Sequence, residues 1–176
     1  MNDSNTTAPS RRLIAIYPGT FDPITFGHID IIRRATPMFE KVLVTLAKNS
    51  SKSPLFTAEE RLEMMNLATE SIPGAQVAIF SGLVVDYAHE VGANVLIRGL
   101  RAVSDFEYEF QIALMNRKQH SGVDTVFLMP DERYTYLSSS LIKEIARHGG
   151  SVEEFVPDFV AKRLREKFRN KPSNGI

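Results

Sequence analysis

The chain has 176 residues, of which 43% are hydrophobic and 24% charged, so it can form one compact domain and is not disordered as a whole. Its 21 basic and 21 acidic side chains leave no net charge, which argues against a protein that grips nucleic acid by neutralising phosphates. The absence of cysteine excludes disulfides, zinc–thiolate sites and thiol nucleophiles, and it fits a reducing compartment, so we expect a cytoplasmic protein. No apolar run approaches the length of a membrane span.

Short apolar runs alternate with helical patterns along most of the chain. Strands are predicted at Leu13–Tyr17, Val42–Leu46, Gln76–Phe80, Val95–Ile97 and Thr125–Met129. Helices are predicted at Ile24–Phe39, Val84–Val91, Ser104–Gln119 and Ser138–His148, and from Pro157 to about Asn170. A further helix is predicted to begin at Thr57, which can form a capping box with Glu60. Nearly continuous apolar strands that alternate with helices predict an α/β fold, a Rossmann-like doubly wound parallel sheet of five strands with helices on both faces.

One domain is predicted over residues 11–170. Residues 1–10 are polar, lack the basic start and apolar stretch of a secretory signal, and are predicted to be a disordered extension. Residues 171–176 are predicted to be a flexible tail.

Parallel sheets bind ligands beyond the carboxyl ends of their strands, so the residues that follow each strand are candidate site residues. After the first strand, residues 17–28 read Y-P-G-T-F-D-P-I-T-F-G-H. A glycine-containing turn before a helix N-terminus presents free backbone N–H groups to an anion. Gly27 would let a phosphate approach the backbone there, and His28 can donate to the phosphate oxygens. The alternative is an ordinary turn in which His28 only caps the helix. Neither GxGxxG nor GxxxxGK[ST] is present, which argues against the usual dinucleotide-binding and P-loop classes.

Basic side chains follow two further strands. Lys52 lies in a serine-rich loop after the second strand, where a solvated surface charge is the alternative to a phosphate contact. Arg98 and Arg101 flank Gly99 after the fourth strand, and the guanidinium fork suits phosphate oxygens. We therefore favour phosphate binding over ion pairing of these arginines with Asp105 or Glu107.

Three consecutive serines, Ser138–Ser140, precede an apolar helical run after the fifth strand. One of them would serve as an N-cap, and all three offer hydroxyls and amides to a phosphate chain, so both roles are open. No histidine has a metal-ligand spacing with another histidine or a carboxylate, and no protein metal site is expected.

The string G-T-F-D-P-x-T-x-G-H resembles the first signature of the nucleotidylyltransferase superfamily, which contains an [HT]-x-G-H motif. Thr25 at the first motif position, with Tyr17-Pro18 ahead of it, is similar to the phosphopantetheine adenylyltransferase branch. The strings Arg98–Glu109 and Tyr134–Lys143 extend the resemblance over nearly the whole predicted domain. It implies an enzyme that transfers the adenylyl group of ATP to 4′-phosphopantetheine, giving 3′-dephospho-coenzyme A and pyrophosphate.

The resemblance also implies a role for each matching position. His28 would stabilise the transition state at the α-phosphate, and Lys52 and Arg98 would act in catalysis by neutralising and orienting the acceptor. Thr20 and Val84 would also bind phosphopantetheine, although Val84 fits a core position equally well. The implied ATP-binding residues are Thr20, Phe21, His28, Gly99, Leu100, Arg101, Glu109, Tyr134, Thr135, Tyr136, Leu137, Ser138, Ser139 and Ser140. For Glu109 a solvated helix face is the alternative. Mg²⁺ is expected as cofactor, carried mainly by ATP oxygens.

The expected chemistry needs no general base, because the acceptor phosphate is already ionised at neutral pH. Catalysis would come from holding the acceptor phosphate in line with the α-phosphorus of ATP, and from hydrogen-bond donors directed at the charge that develops in the transition state. A related enzyme with a mononucleotide acceptor is one alternative, and Thr25 with the 98–109 string argues against it. A non-catalytic adenine-nucleotide sensor is another, and it has no need of Lys52 and Arg98 beside His28. Family membership further implies a homohexamer and inhibition by coenzyme A, neither of which follows from the residue pattern.

Overall fold

The computed structural model describes residues 13–48, 53–101 and 103–169. The strands are β1 (Ile14–Gly19), β2 (Lys41–Ala47), β3 (Ala75–Phe80), β4 (Val95–Gly99) and β5 (Asp124–Leu128). The α-helices are α1 (Phe26–Ala35), α2 (Ala58–Thr69), α3 (Val84–Glu90), α4 (Val103–Gln119), α5 (Ser139–Arg147) and α6 (Asp158–Arg169), and a short 3₁₀ helix covers Glu132–Tyr134. The expected extension at residues 1–10, the expected tail at 171–176 and Lys52 lie outside the described residues.

The five strands form one parallel sheet with the order β3-β2-β1-β4-β5. The chain thus proceeds from β1 towards one edge through β2 and β3, then returns to the other side of β1 for β4 and β5. This reversal lies between β1 and β4, where a doubly wound sheet opens a crevice at the carboxyl ends of its strands. The predicted α/β class and five-stranded parallel sheet are confirmed.

Both faces of the sheet are buried, because alternate residues of the central strand enter different cores. Ala15 and Tyr17 belong to a large cluster that includes residues of α1, α2, α5 and α6. Ile16 belongs to a smaller cluster with Val85 and Ala88 of α3. Burial on both faces explains why the strands read as continuous apolar runs rather than as alternating ones.

Some element boundaries differ from the prediction for identifiable reasons. β1 continues through Pro18 to Gly19, because both residues pair in register with β2. α1 ends at Ala35 rather than Phe39, since Pro37 has no backbone N–H with which to continue the helical hydrogen bonds. Pro157 immediately precedes the first residue of α6, and its carbonyl accepts from the backbone N–H groups of residues 160 and 161. The capping box predicted at Thr57 is confirmed.

None of the helices within the described ranges is both long enough and apolar enough to cross a membrane.

The turn after β1 contains a backbone conformation that is uncommon for a large residue. Phe21 has a φ of +43°, in the left-handed region, and its side chain is buried. Its ring lies so close to Gly19 that a Cβ on that glycine would be only 2.9 Å from two ring carbons. Glycine at position 19 is therefore what allows the Phe21 ring to occupy its place.

We predict that Gly19→Ala destabilises the chain by about 1–3 kcal/mol, because the added methyl must displace the buried Phe21 ring. Gly99→Ala is the matched control, since Gly99 also ends a strand and its Cβ would sit 3.6 Å from the Tyr17 hydroxyl, an ordinary contact. Urea denaturation of both variants measures the two changes in unfolding free energy. Equal losses in the two variants would contradict the steric explanation.

Candidate functional site

A cleft of about 780 Å³ opens at the carboxyl ends of β1 and β4. We call it the strand-end cleft. Gly27 lines it, together with twelve of the residues to which the family resemblance assigns a role, namely Thr20, Phe21, His28, Val84, Arg98, Gly99, Arg101, Tyr134, Leu137, Ser138, Ser139 and Ser140. Leu100, Glu109, Thr135 and Tyr136 are not among its lining residues. Lys52 lies outside the described residues, so its position relative to the cleft stays a prediction.

The wall of the cleft on the β3 side is apolar, and of its residues Phe80, Leu83 and Val84 the sequence had selected Val84. Phe80 ends β3, and Leu83 and Val84 lie at the start of α3. Val84 also packs against the smaller core, so its two possible roles are compatible. Apolar side chains carry no chemical signature in a sequence, and only the position of Phe80 at a strand end could have indicated this wall.

His28 occupies the third position of α1, where it takes part in a capping box with Thr25. The Thr25 backbone N–H donates to His28 Nδ1 at 3.1 Å, and the His28 backbone N–H donates to Thr25 Oγ1 at 3.4 Å. Thr25 Oγ1 also lies 3.0 Å from Nδ1. Because a backbone N–H can only donate, Nδ1 must be the unprotonated ring nitrogen. In the neutral ring the proton is then on Nε2, which makes Nε2–H the donor available to the cleft.

The electrostatic surroundings keep this imidazole uncharged. Burial, with a smaller contribution from the positive charge of Arg101, lowers the pKa of His28 to about 4. The Phe21 ring packs edge-on against the imidazole, with 5.1 Å between ring centroids. His28 is therefore a fixed, neutral hydrogen-bond donor at neutral pH.

Arg98 is held by a two-point ion pair with Glu109. Its Nε and NH2 donate to the two carboxylate oxygens at 2.7 and 2.8 Å. Burial would lower the pKa of Arg98, but the hydrogen bonds and charge of Glu109 raise it, so the guanidinium stays charged. Glu109, on α4, thus fixes the orientation of Arg98 through two of its three nitrogens, and Arg98 lines the cleft.

Arg101 connects β4 to the segment before α5. Its Nε pairs with Asp105 at 3.2 Å, and its NH1 donates to the Leu137 carbonyl at 3.2 Å. The sequence pattern favoured phosphate binding over ion pairing for the two arginines, and the structure shows that both are ion-paired. Pairing fixes the side chains while each still lines the cleft.

The three serines differ in their hydrogen bonds. Ser138 is the N-cap of α5, with its Oγ accepting from the Leu141 N–H at 3.1 Å. Ser139 Oγ donates to the Pro23 carbonyl at 2.8 Å. Ser140 is exposed in the first turn of the helix. The capping role anticipated for one serine is confirmed, and the N-terminus of α5, a position at which backbone N–H groups can bind an anion, lines the strand-end cleft.

Two buried charged residues brace the loop between β1 and α1, and sequence patterns did not select either. Asp22 is 4% exposed, and its carboxylate accepts from the backbone N–H groups of Leu55 and Phe56 and pairs with Lys143. Arg61 is 3% exposed and donates from NH1 to the Thr20 carbonyl at 2.8 Å. The position of Arg61 on the buried face of α2, where a charged residue is unusual, could have identified it from the sequence.

Within the three described ranges, no group of three or more histidine, aspartate or glutamate side chains is placed to hold a metal ion.

The chain is similar to known nucleotidyltransferases. Residues 16–145 match the family described as cytidylyltransferase-like. The chain is 55% identical over 156 residues to the phosphopantetheine adenylyltransferase of Caldanaerobacter subterraneus subsp. tengcongensis, with 89% of this chain and 98% of that protein covered. It is 54% identical over 157 residues to the phosphopantetheine adenylyltransferase of Dictyoglomus turgidum, with 89% and 98% covered.

Solved structures with a similar fold have much lower identity. One is the Plasmodium falciparum nicotinic acid mononucleotide adenylyltransferase complexed with NaAD, with a TM-score of 0.66, 13% identity, and 88% of this chain and 95% of that chain covered. Another is a Vibrio parahaemolyticus protein assigned as a nicotinate-nucleotide adenylyltransferase, with a TM-score of 0.66, 16% identity, and 88% and 99% covered. At this identity the likeness concerns the fold alone.

We predict that His28 stays neutral, with its proton on Nε2, while the pH falls well below the ordinary histidine pKa of 6.5 towards about 4. Long-range ¹H–¹⁵N correlation spectra of the ring report both tautomer and charge. The same chain unfolded in urea is the control, where the ring titrates near its ordinary value. Because the folded pKa is depressed, this group's contribution to stability is complete above about pH 6.5 and is lost as the pH falls to about 4. A folded-state titration near pH 6.5 would contradict the assignment.

Proposed function

The chain belongs to the phosphopantetheine adenylyltransferases, within the cytidylyltransferase-like nucleotidyltransferases, and we propose that the strand-end cleft binds both of its substrates. The enzyme transfers the adenylyl group of ATP to 4′-phosphopantetheine, giving 3′-dephospho-coenzyme A and pyrophosphate. The observation that carries the site proposal is the neutral, oriented His28 in one cleft with two arginines and the N-terminus of α5.

The transfer is a single in-line displacement at phosphorus. A phosphate oxygen of 4′-phosphopantetheine forms a bond to the α-phosphorus of ATP, and the bond from that phosphorus to the bridging oxygen of the β-phosphate breaks. His28 Nε2–H donates to a non-bridging α-phosphate oxygen, where negative charge builds in the transition state. Because the ring is neutral and acts only as a donor, no proton has to leave it during the step.

The polar half of the cleft suits the triphosphate of ATP. The backbone N–H groups at the start of α5 and the Ser138–Ser140 hydroxyls would bind the β- and γ-phosphates, which leave as pyrophosphate. Arg101 would neutralise them from β4, and its bond to Leu137 supports this role by tying it to the same segment. Tyr134, which lines the cleft beside α1, is the proposed neighbour of the adenosine.

The apolar half suits the pantetheine arm of the acceptor. Phe80, Leu83 and Val84 supply an apolar wall, and Arg98 lies at the end of β4 to bind the acceptor phosphate. Its ion pair with Glu109 supports this role, because a pre-oriented guanidinium loses little freedom when the phosphate binds. Lys52 is proposed as the second cation on the same phosphate, on the family resemblance alone.

The proposed cofactor is Mg²⁺, held mainly by ATP phosphate oxygens and water, since this ion keeps most of its water and phosphate ligands when it binds with nucleotides.

We propose that the enzyme acts in the cytoplasm, which the absence of cysteine supports. Coenzyme A is proposed as an inhibitor, because it shares the adenylyl and pantetheine groups for which the two halves of the cleft are suited.

The two alternatives left by the sequence have less support. Identity of 54–55% to phosphopantetheine adenylyltransferases favours that acceptor over a mononucleotide. A nucleotide sensor would have no use for an apolar arm-binding wall beside Arg98.

We predict that His28→Ala lowers kcat on the order of 10²–10³-fold and changes the KM for ATP much less, because the lost donor acts in the transition state. The measurement is pyrophosphate release with ATP and 4′-phosphopantetheine. The matched control is Glu60→Ala, since Glu60 occupies the same position in the capping box of α2 and accepts from the Thr57 N–H at 2.8 Å.

Each of the two variants removes one capping bond, which is expected to cost about 1 kcal/mol of stability, and Glu60→Ala also removes the ion pair of Glu60 with Lys167 at 2.8 Å. Only His28→Ala should lose turnover. A His28→Ala enzyme with lowered melting temperature and near-normal kcat would reduce His28 to a helix cap and contradict the proposed mechanism.

We also propose that the enzyme assembles into a homohexamer, as the family resemblance implies. The exposed apolar side chains of α4 support burial of this helix between subunits, namely Phe106, Tyr108, Phe110, Leu114 and Met115. A helix with several large apolar residues exposed is a usual site of association.

Light scattering of the intact chain at micromolar concentration is expected to give six times the mass of one chain. Leu114→Glu should reduce that mass, because a charge replaces an apolar contact between subunits. Met38→Glu is the control, since Met38 is also an exposed apolar residue but lies after α1. A monomeric wild type would contradict the hexamer, and an unchanged mass for Leu114→Glu would contradict the use of α4.

A further inference from the structure

We propose that Asp22 is a positioning residue for adenylyl transfer, which holds the N-terminus of α5 in register with the loop that leads to His28. This loop, residues 20–25, is called the β1–α1 loop below. The inference rests on the proposed function, in which His28, after the β1–α1 loop, and the N-terminus of α5 bind different phosphates of ATP. Asp22 connects that loop to α5.

Asp22 uses both carboxylate oxygens to join three parts of the chain. Oδ1 accepts from the Phe56 N–H at 2.9 Å, and Oδ2 accepts from the Leu55 N–H at 2.9 Å. Oδ2 also pairs with Lys143 Nζ at 2.5 Å, on the second turn of α5. The side chain of Asp22 is 6% exposed, and that of Lys143 is 22% exposed. One buried carboxylate therefore fixes the β1–α1 loop against α5 and against the segment that precedes α2.

Two other contacts fix the same loop. Ser139 Oγ donates to the Pro23 carbonyl at 2.8 Å, which is a second link from α5 to the β1–α1 loop. Arg61 NH1 donates to the Thr20 carbonyl from the buried face of α2. Of these contacts to the β1–α1 loop, only the one between Asp22 and Lys143 is an ion pair. Removal of one partner from a buried ion pair is strongly destabilising, because it leaves the other charge buried without compensation.

The distance between α5 and the loop matters because one substrate spans both. In the proposed site, His28 acts on the α-phosphate of ATP and the α5 N-terminus binds the β- and γ-phosphates of the same molecule. A shift of α5 relative to α1 would leave each end able to bind while misaligning the bond that breaks. Displacements of about 1 Å at a reacting centre reduce rates by up to about 10²-fold. Asp22 would thus affect turnover without touching the substrate.

A purely structural role for Asp22 makes a different prediction. Loss of the ion pair would then lower the melting temperature, while the folded enzyme would turn over normally. The kcat of folded enzyme, measured well below the melting temperature, separates the two roles. Coupling between Asp22 and Lys143 in kcat gives a second criterion.

The experiment measures kcat, both KM values and the melting temperature for wild type, Asp22→Asn, Lys143→Met, Lys143→Arg and the double variant Asp22→Asn/Lys143→Met. Lys143→Met replaces the ammonium group but keeps an unbranched apolar side chain at position 143, and it leaves the two hydrogen bonds from backbone N–H groups to Asp22 in place. It therefore tests the link even where Asp22→Asn fails to fold. Glu63→Gln is the matched control, since Glu63 pairs with Arg163 between α2 and α6 at 2.5 Å, away from the cleft lining.

We expect kcat to fall about 10- to 100-fold in Asp22→Asn and Lys143→Met, with at most a few-fold change in the KM for ATP. The double variant should be no slower than Asp22→Asn alone, Lys143→Arg should recover most of the lost kcat, and Glu63→Gln should match wild type. A kcat within twofold of wild type in Lys143→Met, or an equal loss in Glu63→Gln, would overturn the proposal. No turnover by wild type would overturn the proposed function instead, so the two failures are distinguishable.

Discussion

The reversal of strand order beside β1 is the constraint on which the rest of the molecule depends. Because β2 and β4 lie on opposite sides of β1, the connections that leave β1 and β4 diverge, and a crevice opens at their carboxyl ends. The same reversal brings α1 and α5, which are distant in the chain, to a common opening with both N-termini towards it. Both faces of β1 are buried, so the strand beside which the cleft opens is fixed in the core of the protein.

One side chain, His28, has both a structural role and a proposed chemical role at this opening. The capping box uses His28 Nδ1 as an acceptor, and that bond fixes both the orientation of the ring and the nitrogen that carries its proton. The same burial that supports the box keeps the ring uncharged. The threonine three residues before the histidine thus contributes to the position of the donor, because its backbone N–H and its hydroxyl both contact the ring nitrogen Nδ1.

The strands, the fold class and the first signature could be predicted because each depends on neighbouring residues in the chain. Continuous apolar runs indicate buried parallel strands, and Thr57 with Glu60 indicates a helix start at a fixed spacing. The bracing of the site could not be predicted in this way. Asp22 and Lys143 are 121 residues apart, and nothing local to either residue specifies the other. The Arg98–Glu109 pair lies within one matching string, yet its two-point geometry depends on how α4 packs beside β4. Lys52 remains a prediction because it lies outside the described residues.

The neutral state of His28 also bears on the design of ligands for this cleft. An arginine selects for anions, but an uncharged N–H donor is satisfied by any good acceptor, including a carbonyl or sulfonyl oxygen. Phe80, Leu83 and Val84 offer apolar contact area in the same cleft. An uncharged compound that places one acceptor at His28 and packs along this wall would avoid the desolvation penalty of a phosphate mimic. The part of the cleft to which we assign the phosphorus chemistry is thus accessible to molecules that contain no phosphorus.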